Sequence, residues 1–239
     1  VFARHWSATD PRTEIPPAGL LPHRRHRKSP YLYRDEEVVR LIEKATGLPS
    51  PKGLRGATFS TLFGLLAVTG LRVGEAIRLD RDCVDLHHDL ITVRYAKGQR
   101  TRLVPIHPST RRALEHYQRL RDRVCPKPPS RRFLVNEYGM PLSYHRVRYW
   151  FIRASRQSGL RGPKDRHGPR IHDLRHRFAI QTLLRWYRTN WDVEAHLPEL
   201  ATYLGHRHAT GTFWYISATP ELLQLATRRW ERAQRGALR

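Results

Sequence analysis

Four short stretches of this 239-residue chain carry side chains whose types and spacing could do chemistry. In Thr69-Gly70-Leu71-Arg72, with Glu75 close behind, a glycine ends one helix and an arginine starts the next. A helix start already favours anions, so Arg72 there makes a phosphate site and Glu75 would orient it. Lys97 sits in the turn-like Lys97-Gly98-Gln99-Arg100, where a lysine could dip into a DNA groove and protonate a leaving oxygen. His172-Asp173-Leu174-Arg175-His176 sets His172 and Arg175 three residues apart, so one helical face pairs a proton-transfer group with a phosphate clamp. Tyr203-Leu204-Gly205-His206 is followed, nine residues after the histidine, by Tyr215.

Each stretch also has a plainer reading. Arg72 and Glu75 could be a surface ion pair, and lysines are common in turns. Phe213-Trp214-Tyr215-Ile216 reads by itself as a core aromatic run. His172 and His176, four apart, could hold zinc, but Asp173 stands where a zincin has glutamate and no usual downstream ligand follows. Taken together, the parts suit one task. Two arginines and a histidine bind one phosphate, a lysine donates a proton, and a tyrosine attacks. A phenol is an adequate nucleophile where cations stabilise the charge growing on phosphorus. No Asp/Glu cluster of the Mg²⁺-nuclease kind stands out, and arginines can supply the electrostatics of a metal, so no metal or cofactor is expected.

The elements that must hold these groups are mostly helical. Asp35-Glu36-Glu37 opens a helix with acids suited to its first turn, and Val38, Leu41 and Ile42 give it an apolar face. Residues 58–69 and 73–79 read as helices broken at Gly70. Residues 90–95 and 102–106 read as two strands joined by the Lys97 hairpin. Helices follow at about 108–123, 143–158, 172–188, 192–204 and 208–217, and Pro220 starts a last amphipathic one through Trp230. The expected fold class is α+β: mostly α with one small antiparallel sheet. Residues 1–34 read as a basic arm or linker, since Pro11, Pro16, Pro17, Pro22 and Pro30 prevent a continuous helix.

Charge supports the same chemistry. The chain carries a formal net charge of +23, with 38 arginines and six lysines. Such a charge repels itself unless a polyanion is present, and guanidinium grips phosphate oxygens in a bidentate way that ammonium cannot. An arginine-rich composition can also follow from a GC-rich genome. A hydrophobic fraction of 39% supplies a core, so this is no disordered basic tail. No apolar run approaches the ~20 residues of a membrane span, and the N-terminus lacks a signal-peptide core. Cys83 and Cys125 form no ligand cluster and suggest no disulfide scaffold, which fits a reduced intracellular protein. Arg24, Arg25, Arg27 and Lys28 in the arm, with Arg100, Arg146 and Arg148, are the candidates for the DNA backbone. The last two open a run from Arg146 to Arg177 with ten cations against Asp165 and Asp173.

The motifs in this order resemble the tyrosine recombinases, or phage integrase family, over about residues 35–235. The marks are Thr69-Gly70-Leu71-Arg72 with Glu75, Lys97, His172-x-Leu174-Arg175, Leu204-Gly205-His206 and Tyr215. The resemblance implies that Arg72 and Arg175 clamp the scissile phosphate and that His206 hydrogen-bonds to it. His172 would assist proton transfer from the nucleophile. Tyr215, with an ordinary pKa near ~10, would attack to form a 3′-phosphotyrosyl link. Lys97 would protonate the 5′-hydroxyl leaving group, and Glu75 would support the clamp. Strand exchange would need neither metal nor ATP and would run in a homotetramer on two synapsed double-stranded DNA sites. The expected setting is a bacterial mobile element, in the cytoplasm and at the nucleoid when bound.

The final helix, 221–235, would pack on a neighbouring subunit or fold back on its own core. Three departures from the family pattern stand out. Only about 34 residues precede the catalytic region, too few for the family's core-binding domain, of which residues 1–10 would be the tail. Gly211 and Thr212 precede the tyrosine and would loosen its helix. Arg207 and His208 stand where small polar residues are usual. A competing reading follows from the first departure: a truncated DNA-binding remnant that has the residues but cannot recombine.

Overall fold

The computed structural model of the chain describes residues 6–15, 30–94, 101–206, 210–216 and 219–237. Nine helices and three strands lie within them. Helix α1 is Asp35–Thr46; its acidic first turn complements the helix dipole, and Glu37 accepts the Arg34 backbone N–H at 2.8 Å. Helix α2, Arg55–Thr69, is apolar nearly all round and runs through the core, burying Phe59, Leu62, Phe63 and Leu66. Gly70 ends it at φ +61°, and a side chain there would bring its Cβ within 2.6 Å of Phe178. The single-turn helix α3, Val73–Ala76, follows, then a 3-10 turn at Arg81–Cys83.

The strands are β1 (Val84–Asp85), β2 (Leu90–Val93) and β3 (Arg102–Pro105), antiparallel in the order β1-β2-β3. Ile91 pairs with both Val84 and Val104, so three inward residues line up across the sheet. Helix α4, Pro108–Val124, starts with proline at its first position, where a missing N–H costs nothing. Helix α5, Tyr144–Gln157, is capped by Ser143, which accepts from Arg146 N. Then come α6 (Asp173–Arg188), α7 (Val193–Leu204), α8 (Thr210–Ile216) and α9 (Pro220–Ala237). Asp192 caps α7 by accepting from the backbone N–H groups of Glu194 and Ala195.

Two apolar clusters hold the elements. One joins α1, α2, the sheet, α4 and α5 as far as Leu174; the other joins α6, α7, α8 and Leu222. Full burial of each leucine, such as Leu62, Leu183 or Leu204, contributes about 1.5–3 kcal/mol. Tyr203 packs against both clusters and stacks on Phe178, so it marks the seam between them.

The α+β class is as the sequence leads one to expect, with three differences of detail. The helix expected at 73–79 stops at Ala76, and after the 3-10 turn the chain enters β1, a two-residue strand too short to show a period. The strands end two residues and one residue short, at Val93 and Pro105. Tyr33, which the prolines assign to the arm, is 2% exposed and belongs to the core; its hydroxyl donates to Arg170 O at 3.2 Å, and its own carbonyl accepts from Arg177 Nε. The last helix folds back on its own chain. Its first turn packs on α6 and α8 of the same chain, where Leu222 is buried and Arg188 pairs with Glu221, while Leu223 and Trp230 stay exposed. Among the described residues no helix is long and apolar enough to cross a membrane.

Candidate active site

The end of α7 organises the site. A helix leaves its last carbonyls without partners and carries partial negative charge there. Gly205, at φ +67°, turns the chain so that its N–H meets Thr202 O and the His206 N–H meets Ala201 O. The next three carbonyls each meet an arginine. Tyr203 O accepts from Arg102 Nε at 2.8 Å, Leu204 O from Arg175 Nη2 at 2.7 Å, and Gly205 O from Arg72 Nη2 at 2.9 Å. Arg175 also donates through Nη1 to Gly70 O at 2.7 Å, the carbonyl at the end of α2. Two left-handed glycines thus place the acceptors that aim the guanidiniums.

Glu75 joins two of these arginines. Its carboxylate takes Arg72 Nη1 at 2.8 Å and the Arg72 backbone N–H at 2.9 Å. Arg102 reaches it with both terminal nitrogens, at 3.2 and 2.8 Å. Burial works against the charge of Glu75, but the bonds from Arg102 and Arg72 outweigh it and hold the carboxyl below the usual carboxylate range. Arg175 is 2% exposed; burial, then the Arg72 charge, pull its pKa down to about 10. The cluster holds three guanidiniums against one carboxylate, and the surplus positive charge is what a phosphate would neutralise.

The nucleophile candidate lies against this cluster. Tyr215 is 2% exposed, its ring stacked on His206 with centroids 6.2 Å apart and planes at 18°. His206 Nε2 is 3.0 Å from Arg175 Nη2, and its Nδ1 is 2.7 Å from Thr212 Oγ1. Burial, then Arg175 and Arg72, push His206 down to about 4, so the ring is neutral at physiological pH. The Tyr215 hydroxyl is 3.2 Å from His176 Nδ1. His172 sits at the N-terminal boundary of α6, without a side-chain cap bond, and meets His176 edge-on at 4.7 Å. Burial, then Arg175, lower the pKa of His172 as well.

The structure therefore brings Arg72, Glu75, Arg175, His206 and Tyr215 together, with His172 at the rim. Lys97 and Arg100 lie outside the described residues, as do Arg24, Arg25, Arg27 and Lys28. Arg148 is exposed and, with Arg161, Arg166 and Arg170, lines a basic cavity of about 440 Å³ that reaches His172. Arg146, two residues away on α5, opens into a different hollow beside Arg55, Glu137 and Trp150. No group of three His, Cys, Asp or Glu side chains that could hold a metal occurs among the described residues, and His176 Nδ1 faces the Tyr215 hydroxyl.

Three participants escape the motif reading. Arg102 carries a signal: it shares the parity of Val104, so an arginine points inward from a strand. His176 stands in view as half of a zinc pair. Thr212, whose residue type suggests a loosened helix, is fully buried and bonded to His206.

The phage integrase family pattern matches residues 32–221, which is most of the chain. The chain belongs to the phage integrase family. The relatives of this tyrosine recombinase domain include the integrase/recombinase y4rB of Sinorhizobium fredii, 46% identical over 236 residues, covering 97% of this chain and 75% of that protein. The tyrosine recombinase XerC of Bacillus subtilis is 30% identical over 210 residues, covering 85% of this chain and 62% of its own length. Among solved structures, XerA recombinase superposes with a TM-score of 0.66 at 24% identity, over 94% of this chain and 71% of that one. XerH recombinase bound to its difH substrate gives 0.62 at 23% identity, over 85% and 54%. At these identities the structural likeness establishes the tyrosine recombinase catalytic fold.

Proposed function

We propose that this chain cuts and rejoins double-stranded DNA at a specific site through a 3′-phosphotyrosyl link. The observation that carries the reading is the meeting of Arg72, Arg102 and Arg175 on three successive carbonyls, Tyr203 to Gly205, at the end of α7, with His206 and Tyr215 alongside. Arg72 and Arg175 would hold the non-bridging oxygens of the scissile phosphate, and Glu75 with Arg102 would keep Arg72 in place. An arriving phosphate competes with His206 for Arg175 and raises the histidine's pKa, so His206 would become a donor to the phosphate. The Tyr215 oxygen attacks phosphorus and the bond to the 5′ oxygen breaks. Lys97 would protonate that oxygen, and His172 would assist the departure of the Tyr215 proton. A 5′-hydroxyl from a partner strand then reverses the step on a new junction.

Arg148 and the basic cavity beside His172 would follow the DNA backbone, as would the arm cations and Arg146. Solved relatives of this fold include XerH on its DNA substrate and a lambda integrase tetramer on a Holliday junction. A homotetramer on two synapsed sites is accordingly part of the proposal, as are a mobile-element role and an intracellular location at the nucleoid.

The test uses nicked duplexes with a randomised cleavage region, so that any target sequence is represented. Incubation and denaturation in detergent should leave a covalent protein–DNA adduct, and Tyr215→Phe should leave none. An adduct that survives Tyr215→Phe would overturn the assignment. The burial of Tyr215 favours a second reading, a DNA-binding remnant that does not cleave. Salt-dependent binding of the same library with no adduct would decide for it.

A further inference from the structure

We propose that His176 is a positioning residue for the nucleophile, its Nδ1 accepting the hydrogen bond of the Tyr215 hydroxyl and holding that oxygen in one orientation beside His206. The proposal rests on the reading of Tyr215 as the attacking group.

Arg175 and His176 are consecutive on α6, so their side chains leave the helix about 100° apart. Arg175 turns to the ends of α2 and α7, and His176 turns to α8. One stretch of helix thus fixes both the phosphate clamp and the nucleophile, and with them the gap between the two. The imidazole of His176 is boxed by aromatic rings: His172 edge-on at 4.7 Å, Trp214 at 5.4 Å and Tyr215 at 5.5 Å. It cannot turn away without displacing one of them.

A ring so enclosed is neutral; burial, then the neighbouring His172, push its pKa down to about 4. Neutral imidazole offers one donor and one acceptor. With Nδ1 as the acceptor, the phenol gives its hydrogen to the ring and this bond takes up no lone pair of the attacking oxygen. With Nδ1–H as a donor, a lone pair of the attacking oxygen would be tied up. A role in packing alone would be served as well by phenylalanine, which leaves no buried ring nitrogen to satisfy.

Two measurements on the full chain test this. First, tyrosine labelled with ¹³C at Cζ reports the hydrogen bond, with Tyr215→Phe identifying the resonance. His176→Phe should move the Tyr215 signal upfield, and His176→Asn, whose Oδ1 falls near the Nδ1 position, should leave it in place. Second, the rate of adduct formation is followed in a single turnover on the randomised nicked duplexes. His176→Phe should slow it by about tenfold or more, equivalent to ~1.4 kcal/mol in the barrier. The DNA concentration for half-saturation should not change, and His176→Asn should recover most of the rate.

An unmoved or downfield-shifted signal in His176→Phe overturns the proposal. So does a folded His176→Asn as slow as His176→Phe, or a His176→Phe protein as fast as wild type. A wild-type protein that forms no adduct would instead bring down the assignment of Tyr215 as nucleophile, and this role with it.

Discussion

Arg175 Nη2 and His206 Nε2 stand 3.0 Å apart, and this contact fixes the histidine's tautomer. Guanidinium has only donors, so Nε2 must present its lone pair. The ring is neutral, so its one hydrogen sits on Nδ1 and points to Thr212 Oγ1 at 2.7 Å. The nitrogen of His206 that is proposed to bind phosphate is thus an acceptor already occupied by Arg175. Thr212 lies one turn before Tyr215 on α8, so the same threonine ties the helix of Tyr215 to Arg175 by way of His206.

Replacing Thr212 tests that tie. Thr212→Val keeps the shape but leaves the buried His206 Nδ1–H without its acceptor, at a cost of about 1–3 kcal/mol. Urea unfolding measures the loss. Thr212→Ser, which restores the hydroxyl, should recover most of it. Equal stability of all three proteins would show that the bond does not hold α8.

Arg102 should matter beyond its bulk. It is 8% exposed and forks onto Glu75. Arg102→Ala removes two of the four bonds to the Glu75 carboxylate and should destabilise by about 1–3 kcal/mol. Arg102→Lys should fall between, because an ammonium supplies charge without the fork. A denaturation midpoint for Arg102→Ala within error of wild type would refute the role.

Stability should fall on mild acidification. His206 and His176 titrate near 4 when folded, against ~6.5 for an ordinary histidine. In the interval between, the unfolded chain binds protons that the folded chain refuses. The contribution of the neutral rings is therefore complete above about pH 6.5 and is lost as the pH falls toward 4. Each ring adds a slope of up to ~1.4 kcal/mol per pH unit. The lowered pKa of His172 acts in the same direction. Urea midpoints measured from neutral pH down to about pH 5, before ordinary carboxylates titrate, should show the decline, and His176→Phe should shallow it. A flat profile would contradict the burial of these rings.

How much of this is legible in the sequence depends on distance along the chain. Gly70 before Arg72, and Gly205 before His206, can be read because a helix end is a local event. The spacing of His172 and Arg175 places both at the start of α6 for the same reason. Arg102 and His176 are harder because their partners lie far off: Glu75 is 27 residues from Arg102, and Tyr215 is 39 from His176. Strand β1, with two residues, has too few positions to show alternation. Thr212 misleads because its β-branched side chain reads as a weak helix former, while tertiary burial decides its place.

The last turn of α7 works as a jig, and that sets which changes this chain can tolerate. Three arginines from α6, β3 and the start of α3 are gauged against three neighbouring carbonyls of one backbone. One residue inserted into or deleted from α7 would rotate all three carbonyls by about 100° and misplace every guanidinium together. Point changes on the exposed face of α7, at Glu194, Glu199 or Thr202, leave the carbonyls where they are. The helix is therefore free to drift in sequence and rigidly held in length.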